Sequence, residues 1–152
     1  MRAACRAATI LQLERALALN PNDANALASY GSALAGLGKH EEGLRHIREA
    51  MRLNPFHPEW YWLDLRAAFL SARRYSDAIE AYQRRTRPHV WVLTRVAICY
   101  AYLGRMAEAR EITRRILELS SGFRISTFRR GGWSDEDVQH LREGMLLAGL
   151  PD

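Results

Sequence analysis

The triplet Leu19-Asn20-Pro21 returns 34 residues later as Leu53-Asn54-Pro55, and no other feature narrows the possible folds as much. Periods of roughly 20–50 residues belong to stacked supersecondary units that cannot bury their apolar faces alone. Residues 24–55 contain the unit itself. Leu27, Tyr30, Gly31 and Leu34 fall on one face of a first helix. Gly38-Lys39-His40 breaks the pattern, and Gly43, Leu44, Ile47, Ala50 and Met51 resume it on a second helix. Asn54-Pro55 stops that helix, because proline cannot continue it and disfavours helical geometry in the residue before. Large side chains alternate with Gly31, Gly43 and Ala50, as closely crossing helices require.

The pattern continues on either side of this unit. Residues 3–19 carry Ile10, Leu13, Ala16 and Leu17 at helical spacing and read as half a repeat whose first helix is absent. Either the gene begins upstream of Met1, or the chain starts with an unpartnered apolar edge that invites self-association. A second unit is expected over 59–88, with Trp62, Leu65 and Phe69 on one helix and Tyr75, Ala78, Ile79 and Tyr82 on the next. Arg66 and Arg85 stand in it where the first unit has Gly31 and Ala50, and Arg87-Pro88 shortens it. A third is expected over 90–121, from Leu93, Val96, Ala97 and Tyr100, a turn at Gly104, then Ala109, Ile112, Ile116, Leu117 and Leu119. Residues 123–133 lack helical period and read as an extended linker. Ser134 followed by Asp135-Glu136-Asp137 marks a helix start, since a hydroxyl and carboxylates satisfy the exposed N–H groups there. Residues 134–149 are read as a helix that folds back and caps the array.

Composition excludes several classes. With 152 residues, 48% apolar and 26% charged, the chain can bury a core and is not disordered in type. The net charge is +5, carried almost wholly by arginine, since Lys39 is the only lysine. Cys5 and Cys99 fit no metal or redox spacing and are expected to be inert thiols. Arg6, Gln12, Glu14 and Arg15 interrupt the start, which argues against a signal peptide, and no run has the length of a membrane span. A cytoplasmic protein is expected. His40, His46, His57, His89 and His140 are scattered, and no nucleophile elbow, phosphate loop or metal-ligand pair is present. Neither catalytic residues nor a cofactor or metal is therefore expected.

Leu27, Tyr30-Gly31, Leu34, Gly43, Ile47, Ala50 and Pro55 resemble the signature of the tetratricopeptide repeat. Trp62, Leu65, Phe69, Ala78 and Tyr82 match it in the second unit, and Leu93, Tyr100 and Ala109 in the third, while Arg66, Arg85, Thr113 and Ile116 depart. The resemblance implies an all-α fold, a right-handed α-α superhelix of about three and a half helical hairpins with a C-terminal capping helix. More narrowly, His57-Pro58-Glu59-Trp60-Tyr61-Trp62, Tyr75-Ser76-Asp77-Ala78-Ile79 and the tail from Phe123 to Pro151 look like repeats found behind certain bacterial class III adenylate cyclases. Some winged-helix regulators carry similar repeats. This chain has neither output domain, so neither activity follows.

Such arrays act through a concave groove lined by the first helix of each repeat. Spacing places Asn25, Ala28 and Ser32 there, then Trp60, Leu63, Ala67 and Leu70, then Trp91, Thr94, Ile98 and Tyr102. These positions lack the Lys, Asn and Arg of repeats that clamp a peptide carboxylate. The groove is apolar and aromatic at its centre, suited to a peptide, helix or partner domain anchored on Trp60 and Trp91. Its occupant could equally be the chain's own tail through Val138, Leu141 and Met145, or a second copy. Arg84-Arg85-Arg87, Arg114-Arg115 and Arg129-Arg130 are the nucleic-acid candidates, but Glu80, Glu111 and Glu118 interleave with them and no recognition motif accompanies them. A non-enzymatic interaction scaffold is the expectation. The alternatives are a regulatory repeat region separated from its output domain, or a weak nucleic-acid binder.

Overall fold

The structure is a computed structural model that describes residues 2–83, 89–128 and 134–152, with side chains from Ala8 onward. Cys5, Arg84, Arg85, Arg87, Arg129, Arg130 and the final part of the expected linker lie outside that description. Every regular element among the described residues is helical. The chain divides into two compact units, Met1–Ala72 and Arg73–Asp152. The division falls between the two helices that the sequence assigns to the second repeat.

The first unit holds α1 (Arg2–Leu19), α2 (Ala24–Gly36), α3 (His40–Leu53) and α4 (Glu59–Ser71). The Asp23 carboxylate caps α2 by accepting from the Ala26 N–H at 3.0 Å. At the other end Gly38 adopts φ +86°, which lets the Lys39 and Gly38 N–H groups bond the Leu34 and Ala35 carbonyls, both at 3.0 Å. The chain then reverses into α3. This helix is sharply two-faced, with Gly43, Leu44, Ile47 and Ala50 buried and Arg45, Arg48 and Arg52 exposed. Leu27, Ala28, Ala50 and Tyr61 form a core cluster, on which Leu17, Met51, Leu53 and Trp60 pack. Each fully buried leucine-sized side chain contributes about 1.5–3 kcal/mol. Arg66, which replaces a small residue of the first repeat, is fully buried in α4 with Nη2 3.4 Å from Glu59 Oε1.

The second unit holds α5 (Tyr75–Gln83), α6 (Val90–Tyr102), α7 (Met106–Leu119), a 3-10 turn (Ile125–Thr127) and α8 (Asp135–Leu147). The description of α5 ends at Gln83, so the shortening expected at Arg87-Pro88 lies outside the described residues. Helix α6 is buried on nearly every side, from Leu93 to Ala101, because α5, α7 and α8 all pack on it. Gly104, at φ +72°, makes the α6–α7 turn as Gly38 makes the earlier one. The equivalent place after α4 is Arg73, at φ +60° and without glycine's freedom.

The segment after α7 differs from the extended linker expected of it. Phe123 and Ile125 are buried, and the Ile125 N–H donates to the Pro151 carbonyl at 2.9 Å, so the 3-10 turn is tied to the end of the chain. Ser134 caps α8 by accepting from the Asp137 N–H at 3.1 Å. Thr113, a departure from the repeat signature, is buried and donates its hydroxyl to the Ala148 carbonyl at 2.9 Å. The departure thus satisfies an acceptor at the far end of α8.

Candidate interaction surface

In the first unit α2 and α4 pack side by side and present one face. Tyr61 ties them together, its hydroxyl donating to Asn25 Oδ1 at 2.8 Å. Trp60 lies edge-on to Tyr61, with ring centroids 4.3 Å apart, and is half-buried against the core cluster that includes Ala28. One turn along α4, Leu63 keeps 46% of its surface exposed. Ser32 and Ala67 are half-buried, whereas Leu70 is fully buried and offers no surface.

Asp64 belongs to this face and the sequence reading passed over it. Its position was legible, since it is four residues after Trp60 and three before Ala67. Partial burial pushes its carboxyl pKa up, and the Ser32 hydroxyl beside it offsets part of that rise.

In the second unit two of the expected groove residues, Ile98 and Tyr102, meet the chain's own α8. Thr94 and Ile98 are buried, and Thr94 spends its hydroxyl on the Val90 carbonyl at 2.8 Å. A Cβ on Gly144 would sit 2.6 Å from Ile98 Cγ2 and 2.7 Å from Tyr102 Cε2, so α8 approaches α6 as closely as glycine permits. Leu141 and Met145 are buried beside it. Tyr102 stacks on His140 with centroids 4.1 Å apart and planes within 5°, and donates to the His140 carbonyl at 2.8 Å. Tyr75 completes the stack, its hydroxyl 2.8 Å from His140 Nε2. Burial raises the Tyr102 phenol to about 12; burial and the Arg73 guanidinium lower the His140 imidazole. Arg73 pairs with Asp137 at 3.0 Å and Glu136 at 3.6 Å. No sequence spacing announces this cluster, because Tyr75 and His140 are 65 residues apart. Trp91 remains 37% exposed, with its ring against Phe123 and Phe128.

Other features carry little chemistry. Cys99 is buried and its thiol pKa is pushed up to about 12, so the nucleophilic thiolate is suppressed. Arg114 is held by Glu111 and Glu118 along α7, which reduces its availability to phosphate. Among the described residues no three His, Cys, Asp or Glu side chains are grouped to hold a metal ion. No helix among them is long and apolar enough to cross a membrane.

Residues 24–57, the α2–α3 hairpin and the turn after it, match the family model described as the tetratricopeptide repeat. No curated protein matches the chain. Repeats of this family commonly mediate protein–protein interactions and are in general non-catalytic.

Proposed function

We propose that this chain is a non-enzymatic scaffold that presents the α2–α4 face of its first unit to an apolar peptide or helix of a partner protein. The observation that carries the reading is the pairing of half-buried Trp60 with exposed Leu63 on α4, the helix packed against the hairpin that matches the repeat family. Trp60 is anchored from behind by Tyr61 and the core, so little ordering is lost when a ligand covers it. Leu63 supplies apolar surface that a ligand removes from water.

Within this reading the α6 face is occupied at Ile98 and Tyr102 by α8, with Thr94 buried and Trp91 left beside Phe123 and Phe128, and the α2–α4 face, with Asn25, Ser32, Trp60 and Leu63, receives the partner. The likeness of 57–62 and of the tail to cyclase repeat regions favours a bacterial signalling role in the cytoplasm. Selection of a displayed peptide library on the purified full chain tests the scaffold. Peptides rich in apolar residues are expected, and Leu63→Asp should abolish their binding with helicity unchanged. Failure to select any peptide, or selected peptides indifferent to Leu63→Asp, would reject this face as the binding surface.

A further inference from the structure

We propose that the turn of α4 from Trp60 to Asp64 reads a cation in the bound peptide, specifically the guanidinium of an arginine flanked by apolar residues. The inference rests on the scaffold reading and adds the chemistry of its ligand.

Several acids on the helices of this chain are paired by arginine at helical spacing. Glu49 meets Arg52, Asp77 meets Arg74, Glu108 meets Arg105 and Glu111 meets Arg114. Asp64 has no such neighbour. The residues three and four positions away are Trp60, Tyr61, Ala67 and Ala68, none of them basic. Among the described residues no cation stands within ion-pair distance of its carboxylate, in a chain whose net charge is +5.

The carboxylate nonetheless sits on an apolar stripe. Trp60 lies one turn before it, Leu63 adjoins it with nearly half its surface open, and Ala67 follows. Burial there disfavours the charged form, and the Ser32 hydroxyl only partly compensates. A cationic ligand group would repay this desolvation, which a neutral or acidic one would not. Arginine fits better than lysine for two reasons. Its planar fork can bond both carboxylate oxygens, and its flat face can lie on an indole ring one helical turn away. The flanking apolar residues of the peptide would cover Leu63.

The test is titration of the full chain with Nα-acetyl-arginine amide, followed by NMR at the Trp60 indole N–H and the Asp64 carboxyl carbon. Both signals should shift together and saturably, and the Asp64 carboxyl midpoint should move down. Asp64→Asn, an isosteric change that removes only the charge, should abolish the response, and Nα-acetyl-citrulline amide should not elicit it. Absence of a saturable shift, an undiminished shift in Asp64→Asn, or equal response to citrulline overturns the proposal. In library-selected peptides, replacing arginine with citrulline should weaken binding to the unaltered chain at least about tenfold and leave Asp64→Asn indifferent. Peptides that bind through Leu63 without needing a cation would end this inference and leave the scaffold reading standing. Arginine amide binding with no selectable peptide would reject the scaffold reading and leave only a guanidinium site at Asp64.

Discussion

Gly31 and Gly43 face each other across the α2–α3 crossing so closely that neither could carry a side chain. A Cβ on Gly31 would fall 2.6 Å from the Gly43 carbonyl oxygen, and one on Gly43 would fall 2.5 Å from the Gly31 carbonyl oxygen. The obstacle on each side is backbone, which cannot swing aside as a side chain does. Gly31→Ala and Gly43→Ala should each cost about 1–3 kcal/mol or more, read as a lower urea midpoint. Because both changes push the same helices apart, the double variant should cost less than the sum of the two.

Gly144 makes a different prediction. Its would-be Cβ meets the side chains of Ile98 and Tyr102 rather than backbone, so the neighbours have some room to turn. Gly144→Ala should destabilise the second unit through α8, seen as faster hydrogen exchange along 135–147, and pairing it with Ile98→Ala should recover part of the loss.

The imidazole of His140 gives the second unit a pH dependence. Burial is the main cause of its lowered pKa, and Arg73 adds to it, while Glu143, Asp137 and Glu136 pull the other way. Tyr75 and Tyr102 pack on the ring without charge at neutral pH. A histidine whose folded-state pKa lies below its unfolded value takes up protons on unfolding, so stability falls as pH drops below the usual histidine range of about 6.5. Urea midpoints should therefore be lower at mildly acid pH than at neutrality, and His140→Phe should flatten the slope. The slope that remains belongs to His46 of the first unit, whose pKa burial and Arg45 also lower. An unchanged slope in His140→Phe would dismiss the assignment.

Asp64 has the opposite sign. A carboxyl with a raised folded-state pKa stabilises below its unfolded value, and that contribution is lost as pH rises through the folded one. At neutral pH Asp64→Asn should leave the first unit as stable or more so, measured by thermal unfolding. A clear loss would mean that the carboxylate makes a structural contact that an amide cannot replace.

Local rules carried the helices and failed on what crosses between them. The period of Leu-Asn-Pro, the glycines at turns and the acidic start of α8 are signals within a few residues of the structure they govern, so α1 to α8 were legible. The burial of Thr94 and Ile98 was not, because nothing at those positions states that α6 is covered on all sides, nor was that of Leu70 on α4. Spacing around one helix gives a direction, and occupancy of that direction depends on distant residues such as Gly144. Residues 123–128 show the same limit, since Ile125 is tied to a chain end more than twenty residues away and Phe123 lies against Trp91. Asp64 was missed for a different reason. It sits on a stripe read for its apolar content, where a single acid looks like noise.

The left-handed backbone at Arg73 has a consequence for how this molecule can be altered. Backbone preference alone would choose glycine there, relieving about 1–2 kcal/mol. Yet the same residue's guanidinium grips the first turn of α8 through Asp137 and Glu136, and glycine would release it. Two demands, one conformational and one ionic, meet at a single codon and favour opposite answers. An engineer who substitutes the turn-former by rule would relax the joint and unmoor the tail in one stroke.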